Sequence, residues 1–219
     1  FCYPLPDDLP HVMPPPMEQR GYVTFGSFNN FNKVTDEVQC LWRQVLDAVP
    51  GARLLVKSRI FDHGEGRTMV AERLARCGIP AARVEMRGFS RDYLAEYGDV
   101  DVALDPFPYT GGITTCEALS MGVPVVTLAG ESHGARFGAS LLTNAHLPEL
   151  VAQTPVDYVR IAAGLASDPA TLRALRRNLR TMLRHAPLTD AAGYVHDVED
   201  AYRAIWARFV RAAGTTCEV

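Results

Sequence analysis

Apolar residues along this chain alternate between short unbroken runs and stripes of helical period. Tyr22-Val-Thr-Phe25 is such a run, and it leads into the polar stretch Gly26-Ser-Phe-Asn-Asn30. Val38, Leu41, Trp42, Val45, Leu46 and Val49 then recur at i, i+3, i+4, i+7 spacing, which predicts a helix. Thr35 opens it, Asp36 and Glu37 complement its dipole, and Pro50-Gly51 stops it. Arg53–Val56 is a second strand, followed by a helix at 65–77 that ends at Gly78. Arg83–Met86 is a third strand, Arg91–Tyr97 a short helix, and 100–104 a fourth strand. Val123–Leu128 follows after a helix of only two or three turns. Strands separated by single helices predict an α/β fold with a parallel sheet covered on both faces.

The two ends differ from this pattern. Residues 1–20 hold six of the fifteen prolines, including Pro14-Pro-Pro16, and are expected to be extended and not helical, a linker or strap. Near the other end, Asp168-Pro169 is a helix start. Leu172, Leu175, Leu179, Met182 and Leu183 form one face there, and Arg173, Arg176, Arg177, Arg180 and Arg184 read as a solvated face. Val195, Val198, Tyr202, Ile205, Trp206 and Phe209 mark a long terminal helix. The division expected is a Pro-rich strap at 1–20, a Rossmann-like α/β domain at 21–185, and a C-terminal helix and tail at 186–219. A start inside a linker, without an initiating Met, suggests a preceding domain in the parent chain.

Composition narrows the function classes. The 219 residues carry a net charge of -3, without the basic footprint of an obligate nucleic-acid binder. No apolar run approaches a membrane span and the start is not a signal peptide, so no membrane partner is expected. Five cysteines lie far apart with no Cys-x-x-Cys pair, which suggests neither a zinc site nor a disulfide framework and fits a reducing cytoplasm. The 22 basic residues include only two lysines, Lys33 and Lys57; each is a compact point charge suited to phosphate.

The segment Asp105-Pro-Phe-Pro-Tyr-Thr-Gly-Gly-Ile-Thr-Thr-Cys-Glu-Ala-Leu-Ser-Met-Gly-Val-Pro124 carries most of the chemistry. It reads as a strand end, a glycine turn, and a helix opening on threonines. Gly111-Gly112 lets backbone approach a ligand, while N–H groups at 112–115 and the helix dipole favour a phosphate. Thr114 and Thr115 add hydroxyl donors, and Glu117 is placed to accept from ribose hydroxyls. The same residues also serve as an ordinary helix cap and dipole complement, so spacing alone leaves both readings open. Lys33 lies in Gly26-Ser-Phe-Asn-Asn-Phe-Asn-Lys33, at the carboxyl end of the first strand, the rim where a ligand of such a sheet sits. It can neutralise a diphosphate, or be an exposed lysine after an Asn-rich turn. Phe89 and Tyr93 offer aromatic faces to a base, and His133 is a polar residue on another rim loop.

The two motifs Gly-Ser-Phe-Asn-Asn-Phe-Asn-Lys and Thr-Gly-Gly-Ile-Thr-Thr-Cys-Glu-Ala-Leu-x-Met-Gly-Val-Pro resemble the C-terminal catalytic half of the O-GlcNAc transferase family. That family includes the plant SPINDLY proteins and bacterial tetratricopeptide-repeat glycosyltransferases, and the likeness runs from Tyr22 to Phe209. It implies the donor-binding half of a GT-B glycosyltransferase, preceded in the parent by an N-terminal domain and tetratricopeptide (TPR) repeats. It implies Lys33 and Asn30 at the donor diphosphate with Gly112, Ile113, Thr114 and Thr115, and Glu117 on the ribose. Gly88, Phe89 and Tyr93 match the base-binding region. Gly112 and Tyr109 stand where the animal enzymes have a histidine near the sugar and a cysteine beside the N-acetyl pocket, and SPINDLY-type members use GDP-fucose.

The activity implied is inverting transfer of a sugar, GlcNAc from UDP-GlcNAc, to a protein Ser/Thr hydroxyl, with no cofactor or metal and with Lys33 as the catalytic cation. The isolated chain is expected to be inactive without its N-terminal domain. Two rivals remain: a non-catalytic nucleotide-sugar or protein-interaction scaffold, and a GT-B-fold epimerase acting on UDP-GlcNAc.

Overall fold

The structure, a computed structural model, describes residues 2–214. Its centre is a sheet of six strands: β1 (Thr24–Ser27), β2 (Arg53–Lys57), β3 (Val84–Arg87), β4 (Val102–Leu104), β5 (Val125–Leu128) and β6 (Val151–Ala152). They lie in the order β3-β2-β1-β4-β5-β6 with every pairing parallel. In this doubly wound order the chain changes its direction of travel between β1 and β4, which leaves a crevice outside their carboxyl ends. Register sets Phe25 beside Leu54 and Val102, and Leu54 beside Val84. Strands β1, β4 and β5 are buried throughout, as a sheet covered on both faces requires.

The helices are α1 (Met17–Arg20), α2 (Asp36–Ala48), α3 (Gly64–Arg76), α4 (Ile113–Ser120), α5 (Phe137–Asn144), α6 (Pro155–Ala166), α7 (Pro169–Arg184) and α8 (Ala191–Gly214). Side-chain caps start four of them: Thr35 accepts from the Val38 amide, Thr154 from Asp157, Asp168 from Thr171 and Asp190 from Gly193. The apolar stripe of α2 packs Val38, Leu41, Trp42, Val45 and Leu46 into the core. Among the described residues no helix is long and apolar enough to cross a membrane.

Four expectations need correction. Residues 1–20 are not wholly extended, because Met17–Arg20 makes one helical turn. The Met17 amide donates to the buried Asp101 carboxylate, and Gly21, at φ +72°, closes the turn. The segment 91–97 is not an α-helix but a series of turns ending in a 3₁₀ helix, Ala95–Asp99, in which the amides of Glu96 and Tyr97 reach back three residues. Helices α5 and α6 and the two-residue β6 were not expected. Finally, the arginines of α7 are not all solvated. Arg176 is only 3% exposed, with its guanidinium donating to the carbonyls of Val100, Met121 and Tyr97. Arg180 ties α7 to Ser120 and to Pro10 of the strap. The tail at 215–219 lies outside the described residues.

Helix α8 shows the predicted amphipathic period, yet Tyr202, Ile205, Trp206 and Phe209 are each 60% exposed or more. Its apolar stripe faces away from the sheet.

Candidate functional site

Two rim loops meet at the crevice between β1 and β4. The first runs from Phe28 into a 3₁₀ turn at Phe31–Lys33, which Asn30 caps by accepting from the Asn32 amide at 3.0 Å. The second runs from Asp105 to Gly112 and enters α4. Two contacts join them: Lys33 Nζ donates to the Thr110 carbonyl at 3.1 Å, and Thr114 Oγ1 donates to Asn29 Oδ1 at 2.9 Å. The Lys33 ammonium also lies 4.3 Å from the centre of the Tyr109 ring. Desolvation lowers the Lys33 pKa, opposed by the Asp105 charge.

The second loop is held from beneath by Asp105, a buried carboxylate at the end of β4. It accepts from the Gly111 amide at 2.7 Å and from Thr127 Oγ1 at 2.8 Å. Burial pushes its pKa up to about 6, against the opposing effect of those donors and of Lys33. Thr110 adds a second anchor, donating to the Gly134 carbonyl and accepting from the Gly138 amide. A Cβ on Gly111 would stand 2.3 Å from Thr115 Oγ1 and 2.6 Å from Asp105 Oδ1, so only glycine fits where the chain crosses the carboxylate.

At the start of α4 the cap is Gly112, without a side-chain hydrogen bond. Thr114 is therefore not the helix cap, and its hydroxyl is spent on Asn29. The amides of Gly112, Ile113 and Thr114 precede the helix's internal bonding and point to the crevice end. The expected set of free amides at 112–115 is shortened by one, since the Thr115 amide donates to the Gly112 carbonyl at 3.1 Å. The Thr115 side chain is also buried, so its hydroxyl belongs to the loop's underside and not to a ligand surface. Ile113 is 60% exposed and offers only its backbone.

Beside this anion-binding end lies a cleft of about 600 Å³, within the range of small-molecule sites. Asn29 and Asn30 line one side, Gly88, Phe89 and Tyr93 the other, with Thr114 and Glu117 between them. Tyr93 Oη donates to Glu117 Oε1 at 2.5 Å. Burial raises the Glu117 pKa and the Tyr93 bond lowers it; Tyr93 itself is raised, first by burial and then by Glu117. Glu117 is thus a buried, partnered acceptor and not a solvated complement to a helix dipole. Phe89 is exposed beneath the Arg59 guanidinium, 5.1 Å from its ring centre, while its amide donates to Asp62.

Six expected residues, Asn30, Gly88, Phe89, Tyr93, Thr114 and Glu117, therefore share one cleft. Lys33, at the end of the β1 loop, and Tyr109 and Gly112, on the β4 loop, lie outside the lining. Lys57, the other lysine, also lines this cleft, but its ammonium is already engaged: it donates to Gly88 O, Ser90 Oγ and Glu96 Oε1, pinning the base-side loop. His133 packs edge-on against Phe137. Sequence reasoning missed Asn29, Arg59 and Asp105. Asn29 stood inside a quoted motif, and Asp105 was the one carboxylate at a strand's carboxyl end beside the glycine turn, which was the available signal.

The sequence pattern of glycosyl transferase family 41 matches residues 18–198. A probable UDP-N-acetylglucosamine–peptide N-acetylglucosaminyltransferase SPINDLY from Hordeum vulgare is 41% identical over 95% of this chain and 22% of its own length. The UDP-N-acetylglucosamine–peptide N-acetylglucosaminyltransferase of Caenorhabditis elegans is 27% identical over 94% of this chain and 17% of its own. Among solved structures, a mutant of Thermobaculum terrenum O-GlcNAc transferase superposes with a TM-score of 0.87 at 39% identity, covering 96% of this chain and 40% of that one. The chain thus spans about a fifth of the length of the curated relatives it matches.

Proposed function

Since the chain belongs to glycosyl transferase family 41 and has the fold of a GT-B C-terminal half, we propose that it is the donor-binding half of an inverting protein O-glycosyltransferase. The reaction proposed moves GlcNAc from UDP-GlcNAc to a Ser or Thr hydroxyl of a protein. One observation carries this reading: a cleft sized for a nucleoside, lined by Tyr93 and Glu117, runs into a helix N-terminus faced by Lys33.

The chemistry follows from charge. As the glycosidic bond breaks, negative charge develops on the departing diphosphate, and groups already aimed there stabilise it without reorganisation. Lys33, the amides of 112–114 and the Asn29-linked Thr114 are fixed to one another before any ligand arrives. The Glu117 carboxylate takes the ribose hydroxyls, and the Phe89 and Tyr93 side takes the base. Tyr109, beneath Lys33, lies on the sugar side.

The acceptor hydroxyl and the groups that bind it belong, on this reading, to a preceding domain and TPR repeats in the parent protein, in a cytoplasmic setting that fits free cysteines.

Calorimetry with UDP and with uridine tests the diphosphate assignment. Lys33→Ala is expected to weaken UDP by roughly ten- to a hundredfold, the equivalent of about 1.5–3 kcal/mol for a charged hydrogen bond, and to leave uridine unchanged. Equal affinities of wild type and variant for UDP would refute the assignment. Transfer of labelled GlcNAc to protein by the full-length parent tests the activity, and release of free sugar or its epimer would favour the epimerase instead.

A further inference from the structure

The cysteines, scattered in sequence, include a pair that the fold brings together. Cys40 on the outer face of α2 and Cys77 at the end of α3 are 37 residues apart, and their sulfurs lie 2.8 Å from each other. That is about 0.8 Å more than the ~2.05 Å of a disulfide bond. Cys40 is exposed, Cys77 half-buried, and both are free thiols. They form a short relay in which Cys40 donates to Cys77 Sγ and Cys77 donates to the Asp36 carbonyl at 3.4 Å.

The junction around them is rigid on both sides. Arg73 of α3 binds the Asp36 carboxylate at 2.8 Å and the Val34 carbonyl at 2.8 Å, so the end of α3 is clasped to the start of α2. Arg43 of α2 holds the Gly78 carbonyl at 2.6 Å, just beyond Cys77. The sulfurs are already within about 0.8 Å of bonding distance. Burial and the Cys40 bond push the Cys77 thiol up to about 11, which leaves the exposed Cys40 as the sulfur an oxidant meets first.

We propose that Cys40 and Cys77 are a redox-modifiable dithiol, converted to an intramolecular disulfide by a low-molecular-weight disulfide such as oxidised glutathione. Cys40 loses its proton to solvent and attacks one sulfur of the oxidant, forming a mixed disulfide and releasing the first small thiol. Cys77 then loses its proton and attacks Cys40 Sγ, forming the Cys40–Cys77 bond and releasing the second. The protein thiols lose two electrons and two protons, which the two released thiols carry. In a reducing compartment the pair rests as thiols and closes only under oxidising conditions. The bond would staple α2 to α3 about one turn into α2, seven residues beyond Lys33.

Oxidised glutathione, added to the fully reduced chain, tests this by peptide mass mapping under non-reducing conditions. The expected product is a Cys40–Cys77 crosslinked peptide pair lighter by two hydrogens, reversed by dithiothreitol. Cys77→Ser should instead retain glutathione on Cys40, and Cys40→Ser should give no such crosslink. Closing the 37-residue loop should raise the thermal midpoint of the oxidised wild type by roughly 5–15 °C. Glutathione persisting on wild-type Cys40, a crosslink to another cysteine, or an unchanged or lower midpoint would overturn the proposal. The wild-type peptide map decides the matter even if a serine variant folds poorly.

Discussion

Asp105 makes the fold's stability depend on pH in a direction opposite to that of a salt-bridged carboxylate. Its folded pKa of about 6 lies above its ordinary value of 3.8 because burial outweighs the bonds from Thr127 and Gly111 and the Lys33 charge. A raised folded value means that the native state binds the proton more tightly than the unfolded chain. Stability from this group is therefore present at low pH and lost as pH rises from about 4 through about 6. The full difference of about 2.2 pKa units corresponds to roughly 3 kcal/mol, of which about 1.3 kcal/mol is lost between pH 5 and pH 7. The experiment is urea unfolding of wild type and Asp105→Asn at several pH values, with the difference between the two curves taken at each. Asn keeps an acceptor for the Gly111 amide but cannot ionise, so wild type should lose about 1.3 kcal/mol relative to the variant from pH 5 to 7, on the order of 0.5 M in midpoint. Taking the difference cancels Glu117 and Asp101, which burial also raises, and Asp99 and Glu96, which are lowered. A flat difference, or one of opposite sign, would show that Asp105 is ionised in the native state at pH 5 and that the hydrogen bonds outweigh burial.

Two further outcomes follow from neighbouring contacts. Arg176→Met should destabilise the chain by about 2–4 kcal/mol in urea unfolding, because it strands the buried carbonyls of Val100 and Met121; a loss below about 0.5 kcal/mol would mean that they find other donors. Gly111→Ala should weaken UDP binding more than tenfold in calorimetry while leaving a cooperative unfolding transition, since the added methyl meets Thr115 and Asp105 at a loop and not in the hydrophobic core; unchanged affinity would show that the loop yields without moving the amides at 112–114.

What could be read in the sequence, and what could not, divides along a physical line. Strands β1 to β5 were legible because each holds or adjoins a short apolar run bounded by turn residues, and α2 because its stripe has one period and a capped start. In the next stretch α5 is eight residues long and β6 only two, too short for a period to show, whereas α6 carried in Thr154-Pro155 the same start signal as Asp168-Pro169 and went unread. Arg176 shows the same limit at one position, since its burial is decided by carbonyls arriving from the 95–99 turn and the end of α4, segments far away in sequence. The site was legible at its loops, where Asn, Gly, Thr and Lys sit because a rim needs turns and donors, but not in what lies beneath them. The two lysines make the point most sharply. Both are single cations at carboxyl ends of neighbouring strands, and no local pattern separates them. Lys57 pairs with Glu96 at 2.8 Å and spends its three donors on Glu96, Gly88 and Ser90, leaving none for a ligand. Lys33 donates to a neutral carbonyl and sits over a ring, and the carboxylate whose charge acts on it, Asp105, has its pKa pushed up to about 6 and is already held by two other donors. A half-buried cation so weakly compensated favours an incoming anion, and the amides of Gly112, Ile113 and Thr114 face the place where that anion would lie.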